Sequence, residues 1–222
     1  MNRKKILVIL RRAVLLLLIA TLFWGVSKVL ERKTVYGAWN YSLKVNGFTN
    51  EPEESMDIIG YGSSHMYCTL NPISIYEDFG LRSYVFLTNS NPNSLYQISY
   101  ENVEEEAILP QFEETFLDIV ELAKQKDTEV LLLVAPYNIT EAELRRYKYL
   151  SRIAQENGVK VLDMNLELNA TGLNNDTDYY DPGHLNAYGS EKASAYIVNY
   201  IKDNYDITPN DVDDDALWQS LL

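Results

Sequence analysis

The segment GYGSSHMYC combines groups that nucleophilic catalysis requires. Ser63 and Ser64 follow an apolar run and Gly62, at the point where a strand would end, and His65 comes directly after them. A serine hydroxyl is a weak nucleophile at neutral pH and needs a general base. Because the side chains of neighbours on a turn usually diverge, His65 is a poor base for Ser64. The segment therefore offers two alternative nucleophiles, Ser64 and Ser63, whose base must lie elsewhere in the chain.

The second histidine of the chain, His184, lies in the segment YYDPGHLN. Asp181 precedes it, and the Pro182 and Gly183 between them favour a tight turn. On such a turn the carboxylate can bond one ring nitrogen and leave the other for a serine, which is the logic of a catalytic triad. Metal binding by Asp181 and His184 is the alternative, but no further ligand stands at useful spacing. We expect a catalytic Ser64, His184 and Asp181, with no metal and no cofactor.

The elements that must position these residues alternate between apolar strands and helical periods. Strands are predicted at 56–61, 82–87, 128–136 and 159–165, and helices at 71–80, 91–108, 111–126, 140–158 and 185–205. This alternation predicts a three-layer α/β/α fold with a mostly parallel sheet. Ligands bind beyond the carboxyl ends of such strands, where both the GSSH and the DPGH segments lie. Thr140 and Glu143 additionally predict a capping box at the start of one helix.

The N-terminal segment has a different composition from the rest of the chain. An apolar run from Ala13 to Val26 has five basic residues before it and three after it. We expect an uncleaved signal anchor, since no small-x-small cleavage pattern follows the run; a cleaved signal peptide and a buried helix are the alternatives. The excess of positive charge on the N-terminal side predicts a single-pass cell-membrane protein with a cytoplasmic N-terminus and an extracytoplasmic domain.

The domain organisation that follows has four parts. They are a cytoplasmic stub and transmembrane anchor (1–33), a juxtamembrane linker (34–55), the α/β domain (56–205) and an acidic C-terminal tail (206–222). Beyond residue 33 the chain holds 11 basic and 31 acidic residues, a formal charge of −20. Such a surface repels nucleic acid, so nucleic-acid binding is not expected. Cys68 is the single cysteine, so no intrachain disulfide is possible.

The blocks DIIGYGSSHMYCTLNP and YYDPGHLNAYGSEKASAYI resemble those of the SGNH (GDSL-like) hydrolase superfamily. The likeness is greatest to its membrane-anchored surface branch, which includes the teichoic-acid D-alanylation proteins of the DltD family and relatives of polysaccharide O-acetyltransferases. The resemblance covers residues 56–204 and implies a flavodoxin-like α/β/α fold. It places Ser64 at the nucleophile, Ser63 at the position of the superfamily's aspartate, and Asp181 and His184 at the remaining triad positions.

The chain departs from the superfamily pattern in its middle part. No G-x-N block is evident, so Ser90 and Asn91, in TNSNPNSLYQ after the second strand, are the candidate oxyanion donors beside the backbone N–H of Ser64. A central strand of the superfamily is also missing before Pro110. Losing an oxyanion donor costs about 10²- to 10³-fold in rate, so a weak or inactive enzyme is a real alternative.

Three functions are compatible with this pattern. The first is a serine esterase or O-acyltransferase that acts on acyl groups of surface polysaccharide or a teichoic-acid-type polymer, with a membrane acyltransferase as partner. The second is a catalytically inactive surface protein of the same fold that scaffolds polymer modification. The third is a sugar-binding module that uses the tyrosines flanking the DPGH segment, Tyr179, Tyr180 and Tyr188.

Overall fold

The structure, a computed structural model of the whole chain, describes residues 3–30, 41–88 and 102–209. The chain divides into two units, Met1–Asn40 and Tyr41–Leu222. Helix α1, Arg3–Leu30, belongs to the first unit. Its stretch Leu10–Ser27 has a mean hydropathy of 1.7, so this helix is long and apolar enough to cross a membrane, as the sequence predicts.

The second unit alternates helices and short strands. Its elements are α2 (Tyr41–Asn50), β1 (Ile58–Ser63), α3 (Ser64–Thr69), α4 (Pro72–Phe79), β2 (Ser83–Thr88), α5 (Pro110–Gln125), β3 (Leu131–Val134), α6 (Glu141–Glu156), β4 (Lys160–Asp163), α7 (Leu168–Thr171), β5 (Tyr179–Asp181), β6 (His184–Leu185) and α8 (Ala187–Asn204). Helix α2 lies within the range expected to be a juxtamembrane linker. Of the expected tail, residues 210–222 lie outside the described part of the chain.

The strands pair in three separate ladders. β1 pairs with β2 in parallel and β3 pairs with β4 in parallel, whereas β5 and β6 form a short antiparallel hairpin. The prediction of a mixed α/β fold with parallel strands is confirmed. No hydrogen-bonded ladder joins the two parallel pairs within the described ranges, where the sequence predicts one sheet.

One apolar core is shared by both parallel pairs. Its buried members are Leu70, Ile75, Leu81, Val85, Leu162, Met164, Leu185, Ala193, Ile197 and Val198. In α8, Ala193 and Ile197 are four residues apart and so lie on one face of the helix, which packs against the strands. This packing holds α8, and with it the adjacent β6, against the shared core.

The opposite face of the strands is covered unevenly. Val120 of α5 packs with Ala154 of α6 and with Val159, which covers β3 and β4. Phe48 of α2 makes edge contacts with the aromatic rings of β2. Ile59 of β1 is exposed on this face. The covering layer is therefore thinnest over β1.

The helix predicted over 91–108 is wrong in its second half. Residues 103–109 form neither helix nor strand, and 91–101 lie outside the described residues. Asn102 has a positive φ of 62°, which is incompatible with an α-helix. Leu109 is extended, as residues before a proline usually are, and α5 begins at Pro110.

The non-helical segment instead runs along α6. The backbone N–H of Glu106 donates to the carbonyl oxygen of Arg145 at 3.2 Å. Arg152 Nε donates to Glu105 Oε2 at 2.9 Å. Part of the segment predicted to be helical therefore supplies acidic partners for the arginines of α6.

Candidate active site

Ser64 is placed by the junction between β1 and α3. The side chain of Ser63 caps α3 by accepting a hydrogen bond from the backbone N–H of His65 at 3.3 Å, so Ser64 is the first residue of the helix. A Cβ at Gly62 would lie 2.8 Å from Cβ of Met66. Only glycine allows the strand to approach the helix this closely. The sequence predicts a turn or loop here, and the structure forms a short helix.

His184 and Asp181 are placed by the hairpin of β5 and β6. Asp181 Oδ1 accepts a hydrogen bond from the backbone N–H of Gly183 at 2.8 Å, which closes the turn. The backbone N–H of Asn138, in the loop after β3, donates to the carbonyl oxygen of Pro182 at 3.2 Å. The turn is therefore held both by its own carboxylate and by the neighbouring loop.

The structure brings Ser64, His184 and Asp181 together in one chain of hydrogen bonds. His184 Nε2 lies 2.8 Å from Ser64 Oγ. On the other side of the ring, His184 Nδ1 lies 2.8 Å from Asp181 Oδ1 and 3.0 Å from Oδ2. Because an ionised carboxylate can only accept, Nδ1 carries the proton and Nε2 presents its lone pair to the serine hydroxyl. This is the geometry required for general-base activation of a serine.

The electrostatic setting supports the same protonation states. Burial alone would raise the pKa of Asp181, but the N–H groups of Gly183 and His184 outweigh it and hold that pKa below its usual value. The carboxylate is therefore ionised at neutral pH and can orient the imidazole. Ser64 is only 3 % exposed, so the nucleophile lies beneath the surface and Asp181 lies closer to solvent.

Ser63, the alternative nucleophile, has a different set of contacts. In addition to capping α3, its Oγ lies 3.2 Å from Nδ1 of His65. No carboxylate bonds the other nitrogen of His65, since Nε2 is buried without a hydrogen-bond partner in the described part of the chain. A Ser63–His65 pair thus lacks the orienting acid that the Ser64–His184 pair has.

A layer of polar and aromatic groups behind the site was not predicted. The ring of Tyr137 stacks on His65, with centroids 4.0 Å apart, and its hydroxyl contacts the hydroxyl of Tyr147 and donates to Glu143 Oε1. The side chain of Asn165 bridges two loops, accepting from the backbone N–H of Tyr137 at 3.0 Å. The position of Asn165 after β4, at the end of a strand, was the one available signal.

The remaining predicted site residues are distributed as follows. Ser90 and Asn91 lie outside the described residues. Tyr179 packs against the core, whereas Tyr180 is 84 % and Tyr188 is 70 % exposed.

Metal ligands and cavities in the described part of the chain are the remaining features that bear on the site. Within the described ranges, no group of three or more His, Cys, Asp or Glu side chains is placed to hold a metal ion. A cavity of about 590 Å³ lies between α6, β4 and α8, and no triad residue lines it.

Comparison of the chain with protein-family models, with curated proteins and with solved structures found no match.

Proposed function

We propose that this protein is a membrane-anchored, extracytoplasmic serine esterase or O-acyltransferase of the SGNH type. The observation that carries the proposal is the hydrogen-bond chain from Ser64 Oγ through His184 to Asp181, with 2.8 Å at each end. A buried serine bonded to a histidine that is itself oriented by an ionised carboxylate is the arrangement that makes a hydroxyl nucleophilic.

The proposed reaction has two halves. Ser64 Oγ attacks the carbonyl carbon of an ester, and its proton passes to His184 Nε2. The tetrahedral oxyanion collapses as His184 returns that proton to the departing alkoxide oxygen, which leaves an acyl ester on Ser64. Water or a sugar hydroxyl then attacks this ester while His184 takes the new proton, and the hydroxyl of Ser64 is restored. Water as acceptor gives hydrolysis, and a sugar hydroxyl gives transfer.

The position of Ser64 at the start of α3 also suggests a donor for the oxyanion. The backbone N–H of Ser64 lies at the start of α3, next to the nucleophile. Ser90 and Asn91 remain the side-chain candidates. Each donor that forms in the transition state contributes about 10²- to 10³-fold in rate.

The proposed fold is a three-layer α/β/α arrangement. Its support is the core shared by the two parallel pairs, to which Ile58 and Val85 contribute from one pair and Leu131 and Leu162 from the other.

The proposed substrate is an acyl ester on a surface polysaccharide or a teichoic-acid-type polymer, delivered by a membrane acyltransferase partner. The supports are the apolar N-terminal helix and the charge distribution around it. The formal charge of −20 beyond residue 33 repels polyanions, so a polyanionic acceptor requires bridging cations.

The test is labelling of the full chain in detergent by a fluorophosphonate, which reacts covalently with activated serines. We expect labelling of the wild type, none of Ser64→Ala, and retained labelling of Ser63→Ala, because Ser64 alone bonds His184. A folded wild-type protein that is not labelled would contradict the proposal. Labelling that is lost in Ser63→Ala and kept in Ser64→Ala would move the nucleophile to Ser63.

The inactive scaffold is the second candidate, and one observation favours it. Ser64 is 3 % exposed, so an ester must displace covering groups to reach the hydroxyl. Under this alternative, the wild type stays unlabelled while the polymer-modifying partner co-purifies with Ser64→Ala as well as with the wild type.

A further inference from the structure

The histidine next to the nucleophile lies in a stack of three rings. The ring of His65 lies between Tyr137, with centroids 4.0 Å apart and planes inclined by 11°, and His184, with centroids 5.1 Å apart and planes inclined by 23°. His184 is the only one of these rings that contacts the nucleophile by a hydrogen bond in the described structure. The stack therefore connects the proposed general base to the loop after β3.

His65 is itself held firmly. It is 9 % exposed, and Ser63 Oγ lies 3.2 Å from its Nδ1. Its Nε2 is buried and has no hydrogen-bond partner in the described part of the chain. A buried N–H without an acceptor is costly, so the favoured tautomer carries its proton on Nδ1 and donates it to Ser63.

His65 is favoured in its neutral form, and it stacks on His184, the proposed base, which becomes cationic during the reaction. Burial lowers the pKa of His65, and the positive charge that His184 acquires lowers it further, against the opposing effect of Glu143 on α6 and Asp181 on the turn. A neutral aromatic face attracts a cation stacked on it, whereas a second imidazolium would repel it.

We propose that His65 is a positioning residue, whose neutral flat ring fixes the plane of the His184 imidazole while that ring carries the proton of Ser64. The inference rests on the proposed function, since it assigns His65 a part in the same reaction. Tyr137 packs on the face of the His65 ring that points away from His184. Ser63, through its contact with Nδ1, fixes the rotation of the His65 ring, so Ser63 has a role in the site without being the nucleophile.

The decisive comparison is between His65→Phe and His65→Leu in the full chain. Phenylalanine keeps a neutral flat ring, and leucine fills much of the volume without one. We expect His65→Leu to lower the rate of fluorophosphonate labelling roughly 10- to 100-fold, which is the effect of a small misplacement of a catalytic group. We expect His65→Phe to restore most of that rate.

A spectroscopic measurement separates this inference from the proposed function. The proton between His184 Nδ1 and Asp181 gives a low-field ¹H resonance that does not depend on any substrate. We expect that resonance in the wild type and in His65→Phe, and its loss by exchange in His65→Leu, with the circular dichroism spectrum unchanged.

The outcomes are distinct. A resonance and a labelling rate that are the same in His65→Leu as in the wild type would overturn the inference. Equal losses in His65→Phe and His65→Leu would also overturn it, because the nitrogen atoms of His65, not its ring, would then be required. An unlabelled wild type would refute the proposed function, and the resonance alone would still decide whether His65 holds His184.

Discussion

Asp181 Oδ1 lies 2.8 Å from Nδ1 of His184, and the same oxygen accepts the backbone N–H of Gly183 at 2.8 Å. One carboxylate therefore both closes the DPGH turn and selects the tautomer of the histidine that the turn carries. The fold of the turn and the tautomer of His184 both depend on Oδ1 of Asp181. A substitution that keeps the shape of this side chain but removes its charge therefore tests the two roles separately.

Asp181→Asn makes that separation. The amide can keep the bond to Gly183, but its NH₂ group can also donate to Nδ1 and force the proton onto Nε2, which then cannot accept from Ser64. We expect fluorophosphonate labelling to fall roughly 10²- to 10⁴-fold with little loss of stability. The exposed Asp176→Asn, on the preceding loop, is the matched control and should label at the wild-type rate. Equal rates for both variants would mean that Asp181 does not set the tautomer.

The stability of the protein should fall below pH 6.5 because of His65. The pKa of this residue is lowered in the folded state from an ordinary value of 6.5, so acid protonates the unfolded chain first and draws the equilibrium toward it. The stabilising contribution is fully present above pH 6.5 and is lost as the pH falls toward the folded-state pKa. One proton gives a slope of at most about 1.4 kcal/mol per pH unit.

The measurement is urea denaturation of the full chain in a non-ionic detergent between pH 8 and pH 5. His65→Phe lacks the titrating ring, and its free energy of unfolding should decline less over this range than that of the wild type. Parallel curves for the two proteins would show that His65 does not have a lowered pKa.

Tyr137 has two separable contributions. Its ring stacks on His65, while its hydroxyl contacts Glu143 at 3.3 Å and the hydroxyl of Tyr147. Tyr137→Phe keeps the ring and leaves polar partners unsatisfied, so we expect a loss of about 1–3 kcal/mol in the free energy of unfolding with labelling largely retained. The exposed Tyr188→Phe should change neither quantity in the absence of a sugar. A large loss of labelling in Tyr137→Phe would show that the hydroxyl, and not the ring, supports the site.

Gly189 is required where α8 passes the hairpin of β5 and β6. A Cβ at this position would overlap the carbonyl oxygen of Asp178 and lie 2.9 Å from Cδ2 of Leu185. Since the overlap is with backbone, relief requires the hairpin to move, and we expect Gly189→Ala to cost about 1–3 kcal/mol and to reduce labelling. Thermal unfolding beside the exposed Glu191→Ala tests this, and equal midpoints would refute the close contact.

The sequence predicts well those features whose signals are local. The apolar strand before Gly62 is observed, and Thr140 and Glu143 form the predicted capping box, with Thr140 Oγ1 accepting from the N–H of Glu143 at 3.1 Å. Asp181 and His184 come together because Pro182 and Gly183 turn the chain between them. Each of these features depends on residues within a few positions of one another.

The failures have the opposite cause. The sequence before Leu109 has a helical period, but Glu105 and Glu106 bond arginines of α6 that lie 47 and 40 residues away in the chain. His65 was set aside as a base for Ser64, and no local pattern shows that its ring meets Tyr137 and His184. Contacts between residues that are far apart in the sequence depend on tertiary packing, and the hydrophobic period of a segment carries no information about them.

The bond between Ser64 and His184 joins residues 120 positions apart. A growing chain that has not yet reached the DPGH turn carries the serine without its histidine, and closing so long a loop adds an entropic cost that only the packing of α8 offsets. A copy that ends before His184 therefore lacks the proposed general base for Ser64. Under the proposed function, covalent labelling of this serine would report that the chain has been made past His184 and has folded.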